Sequence, residues 1–333
     1  MLYRAGDGYG LTMRRKGGAT MGETRRLGAS GITVSALGAG TWSWGDGPYW
    51  GYGAAPDRGE LAASFRASLD AGVTFFDTAE LYGGGGSERV LGALARDAGR
   101  PVVIASKFTP YPHRLSPRTL HTALDDTRAR LGVATLDLYL IHWPYTLLTT
   151  PAMMDALAET VRAGKVRAVG VCNFSATNMR RAHDRLARHG VPLAANEVRY
   201  NVLARDPETN GVLAACRELD VALIAHSPLV HGLLGEAGPV QVAGPRRFLP
   251  AYRGARLRAI EAMAATLREI ARARDRTPAQ VALNWLLSKD ERIIPIPGTR
   301  RASHARANAG ALGWRLTDEE IAAVDRASAR VGG

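Results

Sequence analysis

The chain has only two cysteines, and no metal-binding motif or long apolar run is present. Cys172 and Cys216 stand alone, without a CxxC pair or a neighbouring histidine cluster. We therefore expect neither a disulfide framework nor a structural zinc site. The eight histidines form no HExxH motif, and so we expect no catalytic metal. No run of about eighteen apolar residues occurs, and the sequence therefore predicts no membrane span.

The amino-terminal segment also lacks the apolar core of a secretory signal. Residues 1–20 are polar, glycine-rich and basic, and Met13 or Met21 are alternative starting residues. We expect residues 1–20 to be a flexible basic leader and residues 21–333 to form one domain. The scarcity of cysteine suits a reducing compartment, and so we expect a cytoplasmic protein.

The net charge of +12 has two interpretations. One is nucleic-acid binding, and the other is a solvated basic surface with a pocket for an anionic cofactor. The arginines are spread along the whole chain, and no basic run is interleaved with aromatic residues. We therefore expect a small-molecule partner and neither nucleic acid nor membrane. The oligomeric state stays open, with a homo-oligomer among the alternatives.

Apolar runs of strand length alternate with longer amphipathic stretches. Most of these runs are apolar throughout, as expected for strands covered on both faces. Eight strand–helix units are the number found in a (β/α)8 TIM barrel, an α/β fold, with long βα loops and here an extra carboxy-terminal helix. The alternative is an open doubly wound sheet, but no GxGxxG follows the first strand. The predicted strands are Val34–Gly40, Val73–Asp77, Val102–Lys107, Leu136–His142, Val166–Cys172, Leu193–Val198, Val221–His226 and Ile293–Pro297.

Helices are predicted between these strands from their capping residues. Asp57–Ala71 is one, and Ser116-Pro117 and Thr277-Pro278 each open another with proline in the first turn. Thr317–Arg330 begins with a Thr-x-x-Glu capping box and should pack outside the barrel. The Gly/Pro-rich stretch Leu229–Gly254 has the length of an ordered flap over a site.

Four polar residues lie at or near the ends of successive predicted strands. Asp77, Lys107 and His142 each follow an apolar run, and Tyr82 lies in the glycine-rich turn after Asp77. The chain has four lysines among its 43 basic residues, so a lysine directly after the apolar run VVIAS is unusual, because a buried charge is costly.

These four side chains together can deliver a proton to an oxygen atom. An ammonium lowers the pKa of a neighbouring phenol, and a carboxylate keeps that ammonium charged. We therefore expect Tyr82 to donate a proton, Lys107 and Asp77 to tune its pKa, and His142 to orient the substrate oxygen. Each residue also has a structural explanation: a turn cap, loop packing, a core histidine or a structural ion pair. The joint placement favours catalysis, and a carbonyl that receives hydride is the simplest substrate.

Longer motifs in the chain resemble the aldo-keto reductase superfamily. They are GVTFFDTAELYGGGGSERVLG, VVIASK, LDLYLIHWP, GKVRAVGVCNFS and IPIPGTRRASHARANAGALGW, and the similarity covers nearly all of residues 26–330. The resemblance implies an NADPH-dependent carbonyl reductase on a TIM barrel, without a metal. It assigns Tyr82 as the general acid, with Lys107 and Asp77 tuning it and His142 orienting the carbonyl.

The resemblance also implies which residues bind the nicotinamide. Asn173 matches an asparagine that holds the carboxamide, and Cys172 stands where the family often has serine. Glu197 stands where a glutamine usually holds the same amide, and a carboxylate cannot donate to the carboxamide oxygen. His226 replaces a tyrosine that usually stacks on the ring.

The rest of the cofactor is assigned in the same way. Ser227, Leu229 and Gly232 match the segment under the pyrophosphate. Arg300 would pair with a 2′-phosphate, with help from the neighbouring Arg301 as an option. This favours NADPH over NADH, although a plain surface role for Arg300 is the alternative. The residues that match the adenosine clamp are Gly298, Thr299, Arg300, His304 and Asn308.

Aromatic residues after strands one, three and four predict an apolar, ring-accepting substrate pocket. The main candidates are Trp42, Trp44, Phe108 and Trp143. Loop packing is the alternative for some of them.

Two other functions fit parts of the pattern. One is an NADPH-binding sensor or regulatory subunit with little turnover, to which the unusual Glu197 and His226 would be suited. The other is a phosphosugar isomerase or aldolase with Lys107 as a Schiff-base amine, but such a lysine must be neutral, and Asp77 would keep it charged.

Overall fold

A computed structural model of the chain describes residues 22–45, 57–114, 116–144, 150–230, 234 and 253–329. Ten strands lie within these residues. Their bounds are β1 (Thr24–Arg26), β2 (Thr33–Ser35), β3 (Gly38–Gly40), β4 (Phe75–Asp77), β5 (Val103–Phe108), β6 (Leu136–Ile141), β7 (Val166–Cys172), β8 (Leu193–Arg199), β9 (Ala222–His226) and β10 (Ile293–Pro295).

Strands β3 to β10 form one parallel sheet in chain order, and the sheet closes on itself. The Gly40 amide donates to the carbonyl of Pro297 at 3.0 Å, and Gly40 pairs with Gly298 in a parallel bridge. The first and last strands therefore meet, as in a (β/α)8 barrel. The predicted fold is confirmed, and the open sheet is excluded.

Helices cover the outside of the barrel. The four helices with predicted starts or bounds are observed as Arg58–Asp70, Arg118–Leu131, Pro278–Lys289 and Asp318–Ala329. The described helices are α1 (Trp42–Gly45), α2 (Arg58–Asp70), α3 (Gly86–Ala98), α4 (Arg118–Leu131), α5 (Thr150–Arg162), α6 (Ala176–Ala187), α7 (Asp206–Thr209), α8 (Val212–Glu218), α9 (Gly254–Ala273), α10 (Pro278–Lys289), α11 (Ala302–Ala309) and α12 (Asp318–Ala329). None of the helices in these ranges is long and apolar enough to cross a membrane.

The first predicted strand, Val34–Gly40, is wrong because these residues do not form one continuous strand. Residues 34–40 are divided between β2, which pairs with β1 as an antiparallel hairpin, and the barrel strand β3. The Ser35 hydroxyl accepts hydrogen bonds from the amides of Thr74 and Phe75 at 3.0 and 3.2 Å. The hairpin is thereby held at the amino-terminal end of β4 and covers that end of the barrel. A continuous apolar pattern could not reveal this break, because both pieces are buried. The other seven predicted strands agree with the structure within two residues.

The barrel interior is filled by one apolar cluster that contains no helix residue. Small and branched side chains from the strands meet three residues of the hairpin segment, Leu27, Ile32 and Val34. Because alternate residues of a strand face the same side, the next inward position lies two residues further on. The inward residues Phe75, Ala105, Leu140, Ala195 and Ile224 are thus followed, at the carboxyl end, by Asp77, Lys107, His142, Glu197 and His226.

Two predicted segments lie outside the regular strand–helix repeat: the carboxy-terminal helix and the flap. The structure tests the first of them but describes little of the second. Helix α12 packs against α9 and α10, where the Trp285 indole donates to Asp325 at 3.0 Å. The predicted extra carboxy-terminal helix is therefore confirmed. Most of the predicted flap Leu229–Gly254 lies outside the described residues, as do residues 1–21. The predicted division into leader and domain stays a prediction.

Helix α10 begins with a complete capping box, which gives a stability prediction. The backbone N–H of Gln280 donates to the Thr277 hydroxyl at 3.2 Å, and the backbone N–H of Thr277 donates to the side-chain oxygen of Gln280 at 2.9 Å. Thr277→Ala should lower the free energy of unfolding by about 1 kcal/mol, because one amide at the helix start loses its acceptor. Urea unfolding measures the change. The matched control is Thr122→Ala on the exposed face of α4, which should change stability little. An equal loss in both variants would contradict the capping role.

Candidate active site

Lys107 lies at the centre of a buried cluster at the carboxyl end of the barrel. Its Nζ atom donates to the two carboxylate oxygens of Asp77 at 2.5 and 2.6 Å, and to the Thr78 carbonyl at 3.0 Å. The Tyr82 hydroxyl lies 3.4 Å from the same nitrogen, and a Glu197 oxygen lies 3.3 Å away. Strands β4, β5 and β8, with the turn after β4, thus bring one ammonium, one phenol and two carboxyl groups together.

The charge of Lys107 is maintained chiefly by Asp77. Burial alone would lower the pKa of a lysine, but the nearby acidic charge, that of Asp77 above all, outweighs this effect and raises the pKa of Lys107 well above its ordinary value. Burial also raises the pKa of Asp77, and its two short contacts with Lys107 oppose that rise. Lys107 is therefore an ammonium at neutral pH and cannot serve as a free amine.

The Tyr82 phenol is shifted in the opposite direction from the one expected. Burial raises the pKa of Tyr82 above its ordinary value; the charge of Lys107 lowers it, as expected, and that of Asp77 adds to the rise. The net shift is upward because the effect of burial is larger than that of Lys107. The Tyr82 side chain keeps partial contact with solvent, and water moderates the rise. The phenol thus carries its proton at neutral pH.

Tyr82 is positioned by the tight turn that contains it. Gly83, Gly84 and Gly85 all have positive φ angles, which only glycine adopts readily, so the chain can turn sharply into α3. Glu80 anchors the turn from the other side, because its carboxylate accepts from the amide of Thr109 and from Arg114.

Glu80 was missed by the sequence reasoning. The available signal was a second acid between Asp77 and Tyr82, but its partners come from the loop after β5 and only the fold shows them.

His142 follows β6 and stays neutral. Its ring centroid lies 6.0 Å from that of Tyr82, and the two rings are nearly perpendicular at 81°. Burial, followed by the positive charge of Lys107, lowers the pKa of His142 to about 2. A neutral imidazole has one N–H donor and one acceptor. The ring can therefore donate a hydrogen bond to an oxygen atom beside Tyr82 without carrying a charge.

The residues expected at the nicotinamide lie on the neighbouring strands. Cys172 pairs in register with Glu197 at the ends of β7 and β8, and both are buried. Asn173 has a positive φ of 61°, and its side-chain amide donates to the His142 carbonyl at 3.2 Å. The structure thus brings these three residues beside Lys107 and His142.

The residues expected at the pyrophosphate are only partly described. Ser227 has a positive φ of 54°, and its hydroxyl lies 3.1 Å from the His226 imidazole. Leu229 packs against the outer core. Gly232 lies outside the described residues.

The residues expected at the adenosine end lie just before α11 and along it. Asn308 donates to the Gly298 carbonyl at 3.4 Å, and His304 lies exposed on the same helix. The Nε atoms of Arg300 and Arg301 lie 3.7 and 3.1 Å from the Glu60 carboxylate on α2. Glu60 was not identified from the sequence, because it lies far from the arginines along the chain.

The four expected pocket aromatics divide into two groups. The Trp42 ring stacks on Tyr82 at 6.0 Å, and the Trp143 ring stacks on His142 at 3.8 Å. Trp44 is buried in the outer core, and its indole donates to the Thr299 carbonyl at 2.7 Å. Phe108 is also buried there, below the Arg114 guanidinium at 4.8 Å. We correct the assignment of Trp44 and Phe108 from the substrate pocket to packing, because neither ring is accessible.

Buried polar atoms without hydrogen bonds lie at this end of the barrel. Within the described ranges they include Nδ1 of His142, Oε2 of Glu197 and Oγ1 of Thr299. Because buried polar atoms are normally satisfied, atoms of this kind just after β6, on β8 and in the loop after β10 fit a polar molecule that extends across the rim. A dinucleotide has the donors and acceptors for such positions, and the residues present therefore fit one.

Comparison with known proteins identifies the relationship of the whole chain. The sequence model described as "Aldo/keto reductase family" matches residues 36–329. The chain is 36% identical over 304 residues to a chloroplastic pyridoxal reductase of Arabidopsis thaliana, covering 87% of this chain and 82% of the relative.

Solved structures give the same result. A glycerol dehydrogenase from Gluconobacter oxydans is 27% identical with a TM-score of 0.80, covering 92% of this chain and 95% of that one. An aldo-keto reductase from Klebsiella pneumoniae in complex with NADPH is 28% identical with a TM-score of 0.73, covering 91% and 94%.

The neutral state of His142 can be tested by NMR. Its ring signals, assigned with His142→Asn, should not titrate between about pH 8 and about pH 5, because protonation beside Lys107 is unfavourable. The unfolded chain would take up this proton below about pH 6.5, so His142 should make the protein less stable as the pH falls through this range. A titration midpoint near the ordinary value of histidine would contradict the assigned environment.

Proposed function

Because this chain belongs to the aldo/keto reductase family, we propose that it reduces an aldehyde or ketone to an alcohol with NADPH. Tyr82 donates the proton to the carbonyl oxygen in this proposal. The observation that carries it is the buried contact of the Lys107 ammonium with both Asp77 and Tyr82, beside the neutral ring of His142.

Tyr82 and His142 act on the same substrate oxygen. The carbonyl oxygen accepts hydrogen bonds from the phenol and the imidazole, which orient it and polarise the C=O bond. The nicotinamide, when bound, supplies hydride to the carbonyl carbon. As negative charge develops on the oxygen, the Tyr82 proton transfers to it, and the resulting phenolate lies next to the Lys107 ammonium. Lys107 thus stabilises the product of proton transfer, although it does not make the resting phenol acidic.

Asp77 keeps Lys107 charged and fixed. Without Asp77 the ammonium would lose both of its shortest contacts, and the other carboxyl group, that of Glu197, lies further away at 3.3 Å. Removing one partner of a buried ion pair typically costs about 3–5 kcal/mol. We therefore assign Asp77 a positioning role in the reaction as well as a structural one.

The cofactor is assigned to the rim between β7 and α11. Asn173 and Glu197 would hold the carboxamide, Cys172 would lie beside it, and His226 would face the ring. The segment with Ser227, Leu229 and Gly232 would follow the pyrophosphate. The adenosine end would be held by Gly298, Thr299, Arg300, His304 and Asn308.

NADPH is preferred to NADH in this proposal because of the arginines at the start of α11. A guanidinium can bind a 2′-phosphate through two N–H groups, and Arg300 is half-buried and held near Glu60. The Klebsiella pneumoniae relative bound to NADPH supports this choice.

The substrate is proposed to be a flat, ring-bearing carbonyl compound. Trp42 and Trp143 stack on the two residues that contact the reacting oxygen, so aromatic faces border the site. Pyridoxal, named in the Arabidopsis thaliana relative, is an aromatic aldehyde of this kind.

Turnover tests the proposal directly. The wild type should oxidise NADPH in the presence of an aromatic aldehyde such as 4-nitrobenzaldehyde. Tyr82→Phe should bind NADPH with nearly unchanged affinity but lower kcat about 10²- to 10⁴-fold, because the general acid is lost. Loss of NADPH absorbance gives the rate, and fluorescence titration gives the affinity.

The matched control is Tyr139→Phe. Tyr139 is buried on β6, and its hydroxyl has no hydrogen bond among the described residues, so this variant should keep full turnover. Full turnover in Tyr82→Phe would remove Tyr82 as the acid. Tight NADPH binding by a wild type that reduces no carbonyl compound would favour the sensor function instead.

A further inference from the structure

Within the part of the chain that the structure describes, Glu197 adds a second carboxyl group around the one ammonium of Lys107. It is buried at the end of β8, and its Oε2 atom lies 3.3 Å from Lys107 Nζ without a hydrogen bond. The three shortest contacts of the ammonium go to Asp77, twice, and to the Thr78 carbonyl. An ammonium has three N–H donors. The N–H groups of Lys107 are thus directed first to Asp77 and Thr78, and Glu197 has the longer contact.

The charges around Glu197 do not balance if both carboxyl groups are ionised. Asp77 and Glu197 would carry two negative charges against the single positive charge of Lys107. Burial raises the pKa values of the Tyr82 and Cys172 side chains, so both stay neutral, and His142 is neutral because its pKa is lowered. Among the described residues of the adjacent strand β9, His226 is titratable, and its partner in register is Arg199 rather than Glu197.

A buried excess charge is costly, and a carboxyl group in such a place normally takes up a proton instead. The shorter contacts with Lys107 identify Asp77 as the ionised member. Glu197 then carries the proton, and the effects of burial and of Asp77, which raise the pKa of Glu197 well above its ordinary value, agree with this assignment.

We propose that Glu197 is a neutral carboxylic acid in the resting protein and binds the nicotinamide carboxamide as both donor and acceptor. This inference rests on the proposed use of NADPH. A protonated carboxyl group has an O–H donor and a C=O acceptor, and a carboxamide has the complementary acceptor and N–H donors. An ionised Glu197 could only accept, and the carboxamide oxygen would lose a partner.

The proton makes cofactor binding depend on pH. A glutamine at this position would donate and accept at every pH, whereas Glu197 donates only while it is protonated. Affinity for NADPH should therefore fall as the pH rises through the raised pKa of Glu197. Asp77, Lys107, Tyr82 and Cys172 face the same space, and they are unchanged in a Glu197→Gln variant.

Infrared spectroscopy of the cofactor-free protein tests the protonation state. At neutral pH the wild type should show the C=O stretch of a protonated carboxylic acid that is absent from Glu197→Gln. The matched control is Glu261→Gln on the exposed face of α9, which should keep the band. A wild type without the band would show an ionised Glu197 and overturn the proposal. A band that persists in Glu197→Gln would place the proton on another group, with the same consequence.

NADPH titration tests the role in binding. At neutral pH the wild type and Glu197→Gln should bind NADPH within about threefold of each other, and Glu197→Leu should bind at least about tenfold more weakly. Where alkaline pH removes the infrared band, the wild-type Kd should rise relative to that of Glu197→Gln. Glu197→Gln binding about tenfold tighter at neutral pH, or Glu197→Leu binding as well as the wild type, would contradict the donor–acceptor role.

The two experiments separate this inference from the proposed function. The infrared band requires neither NADPH nor turnover. If no variant binds NADPH, the proposed function fails and the role of Glu197 in binding fails with it, while the band alone still decides its protonation state. If all variants bind and turn over but the band is missing, only the inference about Glu197 is wrong.

Discussion

The ion pair between Lys107 and Asp77 is the contact around which the site is arranged. It is buried at the mouth of the barrel, with two Nζ–oxygen distances of 2.5 and 2.6 Å. The ammonium also donates to the Thr78 carbonyl and lies close to Tyr82 and Glu197. A buried ion pair contributes little net stability by itself. Its value in this molecule lies in holding one fixed positive charge beside a phenol.

Much of this arrangement could be predicted from the sequence, because a barrel strand has a strict alternation. Once Phe75 and Ala105 are inward-facing, Asp77 and Lys107 must face inward one layer higher. Parallel strands end at the same rim, so residues far apart along the chain converge. The eight-strand count and the helix caps could be recognised for a similar reason, since each depends on local periodicity or on a short motif.

Other features depend on contacts that no local pattern contains. The direction of the Tyr82 pKa shift depends on the sum of one cation, two carboxyl groups and burial. Trp44 and Phe108 look like pocket residues in the sequence, but the closed barrel places both in the outer core. Glu197 was recognised as a cofactor contact, yet its approach to Lys107 across the barrel could be seen only in three dimensions.

The protonation state of Lys107 tests the central claim most directly. Because the chain has only four lysines, ¹⁵N-lysine labelling gives a simple NMR spectrum, in which Lys107→Met identifies the Lys107 signal. The raised pKa of Lys107 predicts an ammonium signal that persists from neutral pH to a pH above the ordinary pKa of lysine, about 10.4. An amine signal at neutral pH would contradict the account, because the phenolate of Tyr82 would then have no positive charge beside it.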